Sequence, residues 1–380
     1  MRRWVAWLVC VFAVAMPVAA LSEVGKPRLQ EPGPLFRIWA DHKAGYIDGS
    51  GKVVIEARFD FARDFAEGWA AVNIGSDELG NGGKWGYIDT AGRYILEPQL
   101  VEMPSRMPGL IAATRPAEDF SEGLAAVLVS GKWGFIDRTG KMAITPRYQH
   151  GNPYAVGPFR EGLARVRVGG AWGYVDGTGK LVIAPRFWYA GNFSEGLAPV
   201  STVAEWGIQG YINKKGTFAI KARFASAREF SDGLAFVVTD SRQGLGGWID
   251  KTGKMVIGPM VFQRLSSTPP PIVDFSEGLV PREVDGKVGY LDKRGRLAIK
   301  PQFRAAGSFS EGLAAVLVGD KWGYIDKAGN LVISPRFQLE GGLPSVGDFH
   351  VGLAWVFADG RAGYIDRTGH YVWRGDRAVP

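Results

Sequence analysis

The chain has 380 residues, 46% of them apolar and 22% charged, a globular balance that excludes an intrinsically disordered protein. Its formal net charge is +7, and its 45 Lys and Arg residues form no basic run, which argues against nucleic-acid recognition. The single cysteine is Cys10, so a disulfide scaffold is excluded as well.

Residues 1–20, MRRWVAWLVCVFAVAMPVAA, read as a secretory signal peptide. Arg2 and Arg3 give a basic start, Trp4 to Met16 an apolar stretch, and Val18-Ala19-Ala20 a small-residue cleavage site. The apolar run is shorter than the ~20 residues a membrane span needs, so cleavage is expected rather than a retained anchor. Cys10 lies inside the signal, and losing Arg2 and Arg3 takes the net charge from +7 to +5 (7 − 2). A cysteine-free exported chain fits a bacterial envelope, so the expected location is the periplasm or the extracellular space. Residues 21–34 hold three prolines and no periodicity and read as a flexible linker. Residues 35–380 then form one repeat domain.

That domain restates one phrase. Gly45-Tyr46-Ile47-Asp48 comes first, then Gly86-Tyr87-Ile88-Asp89, Gly134-Phe135-Ile136-Asp137 and Gly173-Tyr174-Val175-Asp176. Gly210-Tyr211-Ile212-Asn213, Gly247-Trp248-Ile249-Asp250, Gly289-Tyr290-Leu291-Asp292, Gly323-Tyr324-Ile325-Asp326 and Gly363-Tyr364-Ile365-Asp366 follow. The nine copies are spaced 34 to 48 residues apart, a period that marks a tandem repeat architecture. A second marker, Phe-Ser-Glu-Gly or a close variant, recurs at Phe65, Phe120, Phe159, Phe193, Phe230, Phe275, Phe309 and Phe349.

The third copy shows what each unit encodes. Leu124 to Val129 is short and apolar, as in a strand buried on both faces. Ser130-Gly131 is a two-residue hairpin turn, and Lys132 to Asp137 is the return strand. Asp137-Arg138-Thr139-Gly140 is a second turn, with Asp bonding amides ahead of it and Gly at the end. Lys141 to Thr145 is a third strand, expected to stop at Pro146. Each unit is thus a three-stranded meander that must stack on its neighbours to bury its faces. The Gly ahead of the aromatic is present in all nine copies and is expected to let a neighbouring ring lie on the backbone. The recurring Glu of Phe-Ser-Glu-Gly is expected to pair with the Arg of Pro-Arg-Phe, as in Arg147, Arg186 or Arg336.

The phrases Lys84-Trp85-Gly86-Tyr87-Ile88-Asp89, Lys132-Trp133-Gly134-Phe135-Ile136-Asp137 and Lys321-Trp322-Gly323-Tyr324-Ile325-Asp326 resemble the WG repeat, or KWG repeat, family. The resemblance implies a bacterial β-repeat protein with no general catalytic activity. Units five, six, seven and nine depart from it, with Asn213 for Asp, Trp248 as the aromatic, and Val288 or Ala362 where Trp is expected. The expected fold is all-β, a tandem array of about nine three-stranded meanders. An open, solenoid-like array is preferred to a closed, propeller-like ring, because propeller blades normally have four strands and no unit is split between the termini.

Little in the chain suggests chemistry. His42, His150, His350 and His370 fall at different repeat positions without metal-ligand spacing, so no metal site and no cofactor are expected. No nucleophile elbow or phosphate loop is present, and no catalytic residue is assigned: the chain is expected not to be an enzyme. The Asp and Glu that recur in every unit are read as parts needed to build the unit. The repeat tryptophans are read as core.

Three insertions share one phase of the repeat: Val101 to Asp119, Arg264 to Asp274 and Gln338 to Asp348. Insertions at one phase emerge on one face or edge. The first carries Met103, Met107, Leu110 and Ile111, apolar and adaptable. The second carries Pro269-Pro270-Pro271, stiff and extended, and the third carries Leu343. Trp188 lies outside the strand pattern and is a better surface candidate than the repeat tryptophans. The expected function is therefore a non-enzymatic exported scaffold that binds another envelope protein through these loops. The alternative is a glycan or peptidoglycan binder using surface aromatics.

Overall fold

The computed structural model describes residues 33–77, 82–101, 117–149, 155–202, 208–261, 274–338 and 346–375. The expected signal peptide of residues 1–20, residues 21–32 of the expected linker, and Met103, Met107, Leu110, Ile111, Pro269, Pro270, Pro271 and Leu343 lie outside the described residues. Within them all regular structure is β, in 31 strands and no helix.

The strands form nine separate antiparallel sheets, one per sequence copy. In sheet three the strands are Leu124–Val129, Lys132–Asp137 and Met142–Gln149. The second strand lies between the other two, and Gly134 pairs with Val127. Its four central residues are buried, because the sheet is covered on both faces by its neighbours. The third strand does not stop at Pro146. It runs on to Gln149 through a bulge that holds the proline, where its missing N–H breaks no ladder bond.

That bulge explains the invariant glycine. Trp172 pairs with Phe187 and Tyr174 with Ile183, so the third strand spends two extra residues opposite Gly173. A Cβ on Gly173 would lie 2.5 Å from the Ile183 carbonyl oxygen and 2.8 Å from the Pro185 nitrogen. The close approach is thus backbone to backbone, and the expected covering ring is not what requires glycine here.

Four sheets carry a fourth, two-residue strand: Phe61–Ala62, Tyr189–Ala190, Ser226–Ala227 and Ala305–Ala306. In sheets three, four and nine a single bridge stands in its place, Ala117 to Val127, Val156 to Val166 and Val346 to Val356.

Successive sheets are joined by the same contacts. The aromatic of each unit packs on the Phe of the next, with ring centroids 4.9 Å apart for Tyr174 and Phe193 and 5.1 Å for Phe135 and Phe159. The tyrosine hydroxyl donates to a carbonyl of the next connector: Tyr46 to Arg63, Tyr211 to Arg228 and Tyr324 to Gly347, at 2.6 to 2.8 Å. Burial raises the pKa of these phenols, so they remain donors at physiological pH.

Sheet nine meets sheet one in the same way. The Tyr364 ring lies 5.4 Å from Phe36, and its hydroxyl donates to the Arg37 carbonyl at 2.9 Å. Phe36, Ile38 and Ile47 of sheet one share a core cluster with Leu353 of sheet nine. Of the two arrangements open to a tandem array, these end contacts describe the closed ring. Its sheets stay separate and no barrel forms.

Candidate functional site

Strand directions give the ring two different rims. Strand one of each sheet starts beside the Glu-Gly turn, strand two ends there at the Asp turn, and Trp69 faces Asp89. The hairpin between strands one and two lies at the opposite end, with the end of strand three: Lys84 faces Val101, Lys132 faces Gln149 and Lys321 faces Gln338.

The first rim is closed by its own polar groups. Glu67 of sheet two accepts the amides of Glu122 and Gly123 in sheet three at 2.7 and 2.8 Å. Glu122 accepts those of Glu161 and Gly162 at 2.6 and 2.7 Å. The chain continues from Glu161 to Gly196, Glu195 to Gly233, Asp232 to Gly278, Glu277 to Gly312 and Glu311 to Gly352. A cation of the next Asp turn joins most links: Arg138 to Glu67 at 2.8 Å, Lys251 to Glu195 at 3.0 Å, Lys327 to Glu277 at 2.9 Å. The expected Glu–Arg pairing within the Pro-Arg-Phe phrase is therefore replaced. Those arginines lie over their own neighbouring ring and donate to the next turn's glycine carbonyl, as Arg186 does to Gly216 at 2.5 Å and Arg147 to Gly179.

Each of these Glu residues holds a left-handed φ near +53°, as at Glu67, Glu195 and Glu311. A side chain there costs about 1–2 kcal/mol. A bond from a carboxylate to two amides offsets a cost of that size.

The links give a pH dependence with a definite sign. Partial burial alone would raise the pKa of Glu67, Glu195 and Glu277. Bonds from Arg138 and two amides at Glu67, from the Gly233 amide and Lys251 at Glu195, and from Lys327 and the Gly312 amide at Glu277 outweigh it and lower all three. A lowered folded pKa contributes stability that is whole above the ordinary glutamate value and is lost as pH falls through the folded one. The melting temperature is expected to fall from pH 6 to pH 3. Glu195→Gln should cost about 1 kcal/mol at pH 7 and flatten part of that slope. An unchanged slope would remove the links from the account.

The Asp of each turn accepts the amides two and four residues ahead, as Asp137 does from Thr139 at 2.8 Å and Lys141 at 3.2 Å. Asp89 and Asp326 do the same in their turns. The carboxylates are occupied by backbone. Among the described residues no group of three or more His, Cys, Asp or Glu is placed to hold a metal ion. The connector aspartate Asp348 is held differently: burial raises its pKa. Asp119 pairs with Arg63 and Asp274 with Arg228, but Asp348 faces Gly307, which has no side chain to offer.

The second rim carries the variation. Where two sheets join without insertion, one residue links strand three to the two-residue strand: Asp60, Trp188, Ala225 or Arg304. Where an insertion occurs, strand three ends at this same junction, at Val101, Val261 and Gln338; the chain is described again from Ala117 and Val346, at the position of the two-residue strand, and from Asp274, two residues beyond that position. A fourth longer junction, between Gln149 and Ala155, was not singled out in the sequence because its five residues add little to the period. The hairpin segments 78–81 and 203–207 have their flanks here as well. Every internal segment outside the described residues thus begins where a strand ends on this one rim.

Trp188 stands on that rim with 52% of its surface exposed, beside half-exposed Tyr189. Its amide donates to the Ser201 carbonyl at 2.8 Å. The repeat tryptophans Trp85, Trp133, Trp172 and Trp322 are buried. A depression of about 530 Å³ opens on the same rim between sheets three and four, lined by Arg147, Gln149, Arg167, Gly169 and Gly170. Both arginines already donate to backbone, Arg147 to Gly179 and Arg167 to Gly170. The site residues of the sequence reading that lie in loops are not described, so the structure places only their anchors together.

No curated protein sequence matches the chain. Among solved structures it is similar to an eukaryotic initiation factor, at 13% identity over 79% of this chain and 84% of that one, with a TM-score of 0.48. It is also similar to Hsv2p of Kluyveromyces lactis, at 10% identity over 68% and 97%, TM-score 0.38. A third is PorZ of Porphyromonas gingivalis, at 9% identity over 87% and 43%, TM-score 0.35. No score reaches 0.5, and nothing of those proteins' roles is carried to this chain. The model of the WG containing repeat matches residues 45–76, 85–103, 117–133, 133–170, 172–202, 210–242, 289–322 and 322–361. These stretches hold seven of the nine copies of the Gly-aromatic-aliphatic-Asp phrase and more than half of the chain, and the protein belongs to the WG repeat family.

Proposed function

We propose that the protein is a non-enzymatic scaffold whose loop-bearing rim binds another macromolecule, a protein of the bacterial envelope, after export through its N-terminal signal. The observation that carries this reading is the contrast between the rims. One is tied together by carboxylate–amide links in seven of the nine junctions between sheets. At the other, the strand before every insertion ends. Loops on a rigid frame are the usual carriers of binding, and adaptable Met-rich segments suit protein surfaces. The recurring carboxylates are bound to backbone amides, which leaves no convergent acid–base pair among the described residues and favours binding over catalysis.

The test is retention of partners from an envelope extract by the chain beginning at Leu21, beside a variant with residues 103–115 replaced by a short Gly-Ser link. A protein held by the first and lost by the second supports the reading. Equal retention would place binding on the sheets instead. The second reading, a glycan or peptidoglycan site, rests on exposed Trp188 and Tyr189. It expects a change in tryptophan fluorescence on adding cell-wall fragments, abolished by Trp188→Ala, and a flat titration would end it.

A further inference from the structure

We propose that Asp348, opposite Gly307 at the junction of sheets eight and nine, is a receptor for a guanidinium group, the arginine side chain of a partner polypeptide.

Two other junctions hold such a pair within the chain itself. In the connector that leads to the Phe-Ser-Glu-Gly turn, Arg63 of sheet two meets Asp119 of sheet three. Its Nε and Nη2 donate to the two carboxylate oxygens at 2.6 and 2.9 Å. Arg228 of sheet six meets Asp274 of sheet seven in the same way, at 2.8 and 2.9 Å. Both pairs are two-pronged, the geometry in which a planar guanidinium matches a carboxylate.

Sheets eight and nine repeat this frame. In the filled junctions a tyrosine of the preceding sheet donates to the carbonyl of the arginine, Tyr46 to Arg63 at 2.6 Å and Tyr211 to Arg228 at 2.8 Å. Tyr290 donates to the Gly307 carbonyl at 2.8 Å, so Gly307 holds the arginine position. Asp348 directly precedes Phe349, as Asp119 precedes Phe120 and Asp274 precedes Phe275, so it holds the aspartate position. The chain keeps the carboxylate here and replaces the arginine by glycine.

The junction also has room for a side chain. A Cβ on Gly307 would stand 3.5 Å from Asp348 Oδ1 and 3.9 Å from the Ala315 Cβ, both ordinary contacts. Gly191, at the same position in sheet five, would meet the Pro199 ring at 2.7 Å. The carboxylate facing Gly191 is Glu229, which is one methylene longer and accepts the Asn192 amide at 2.7 Å. Asp348 has no bond of that kind among the described residues.

The charge of Asp348 is accessible and uncompensated. The residue is exposed, yet desolvation by the surrounding protein holds its carboxyl above the usual aspartate range. A cation seated beside it would act in the opposite direction. The two filled junctions favour arginine over lysine, because the planar fork engages both oxygens at once and a point charge does not. This connector site is separate from the inserted loops, and it does not rest on the reading proposed for them.

The probe is N-acetyl-arginine methylamide, titrated into the full chain and followed by NMR at the Gly307 and Asp348 amides. Saturable shifts are expected, with a dissociation constant on the order of millimolar for one side chain. The citrulline analogue, similar in shape but uncharged, should bind about tenfold more weakly or worse. Asp348→Asn, nearly isosteric, should weaken the arginine probe to the same extent. Gly307→Arg should place an internal guanidinium on Asp348 and abolish binding. No saturable shift, equal binding of the citrulline analogue, or binding that survives either substitution would each overturn the proposal. So would an Asp348 carboxyl that titrates below the usual aspartate range in the free protein, since a cation of this chain would then already be seated there.

Discussion

Gly134→Ala is expected to destabilise the protein by about 3 kcal/mol or more. The new methyl would lie 2.6 Å from the Ile144 carbonyl oxygen and 2.8 Å from the Pro146 nitrogen. Both atoms are backbone in a paired strand, so neither can turn aside as a side chain end would, and overpacking of that kind costs 1–3 kcal/mol even where side chains absorb it. Gly169→Ala is the matched control. Gly169 has φ +59° and nothing within 4 Å of an added Cβ, so only the left-handed conformation is charged, about 1 kcal/mol. Thermal or urea unfolding of the two variants separates the effects. Equal losses would mean that the bulge relaxes freely and that the invariant glycine has another reason.

Phe193→Ala should cost about 3–5 kcal/mol, the range for emptying an aromatic site in a packed core. Phe193 is buried in the cluster between sheets four and five, with Tyr174 at 4.9 Å. In an array the loss is felt at an interface as well as within a unit. Phe36→Ala removes the corresponding ring at the seam, where Phe36 faces Tyr364 at 5.4 Å. It should cost less than Phe193→Ala, because that junction lacks a carboxylate link, and it should loosen the closure between sheets nine and one. Denaturant midpoints with unchanged slopes would report the difference. A seam variant as costly as Phe193→Ala would show that closure is as tightly packed as any other junction.

Much of this fold was legible in the sequence. The recurring Gly-aromatic-aliphatic-Asp phrase located all nine central strands, and the hairpin signal Ser130-Gly131 falls between strands that end at Val129 and restart at Lys132. What stayed hidden has physical causes. Two-residue strands such as Ser226–Ala227 are too short to show alternation. The links from Glu67 to Gly123 or from Ser121 to the Phe159 carbonyl join residues 56 and 38 apart, with no local trace. Their one signal is Glu before Gly with both residues in the left-handed region, which composition cannot show. Ring closure was obscured because the first unit lacks the Phe-Ser-Glu-Gly phrase and uses Phe36, on a strand, in place of the connector phenylalanine. Of the candidate site, the shared phase of the insertions was legible. That the strands before all of them end on one rim follows only once the strand directions are known.

The central claim is that the nine sheets close into a ring. Gly51 of sheet one packs against Val372 of sheet nine, so spin labels at Lys52→Cys and His370→Cys, in the Cys10→Ser chain, should give one pulsed dipolar distance of roughly 20 Å. Sheets packed about 10 Å apart in an open line would separate the same labels by roughly 80 Å. A single short distance is the result the ring requires; a distribution centred beyond roughly 60 Å would contradict it.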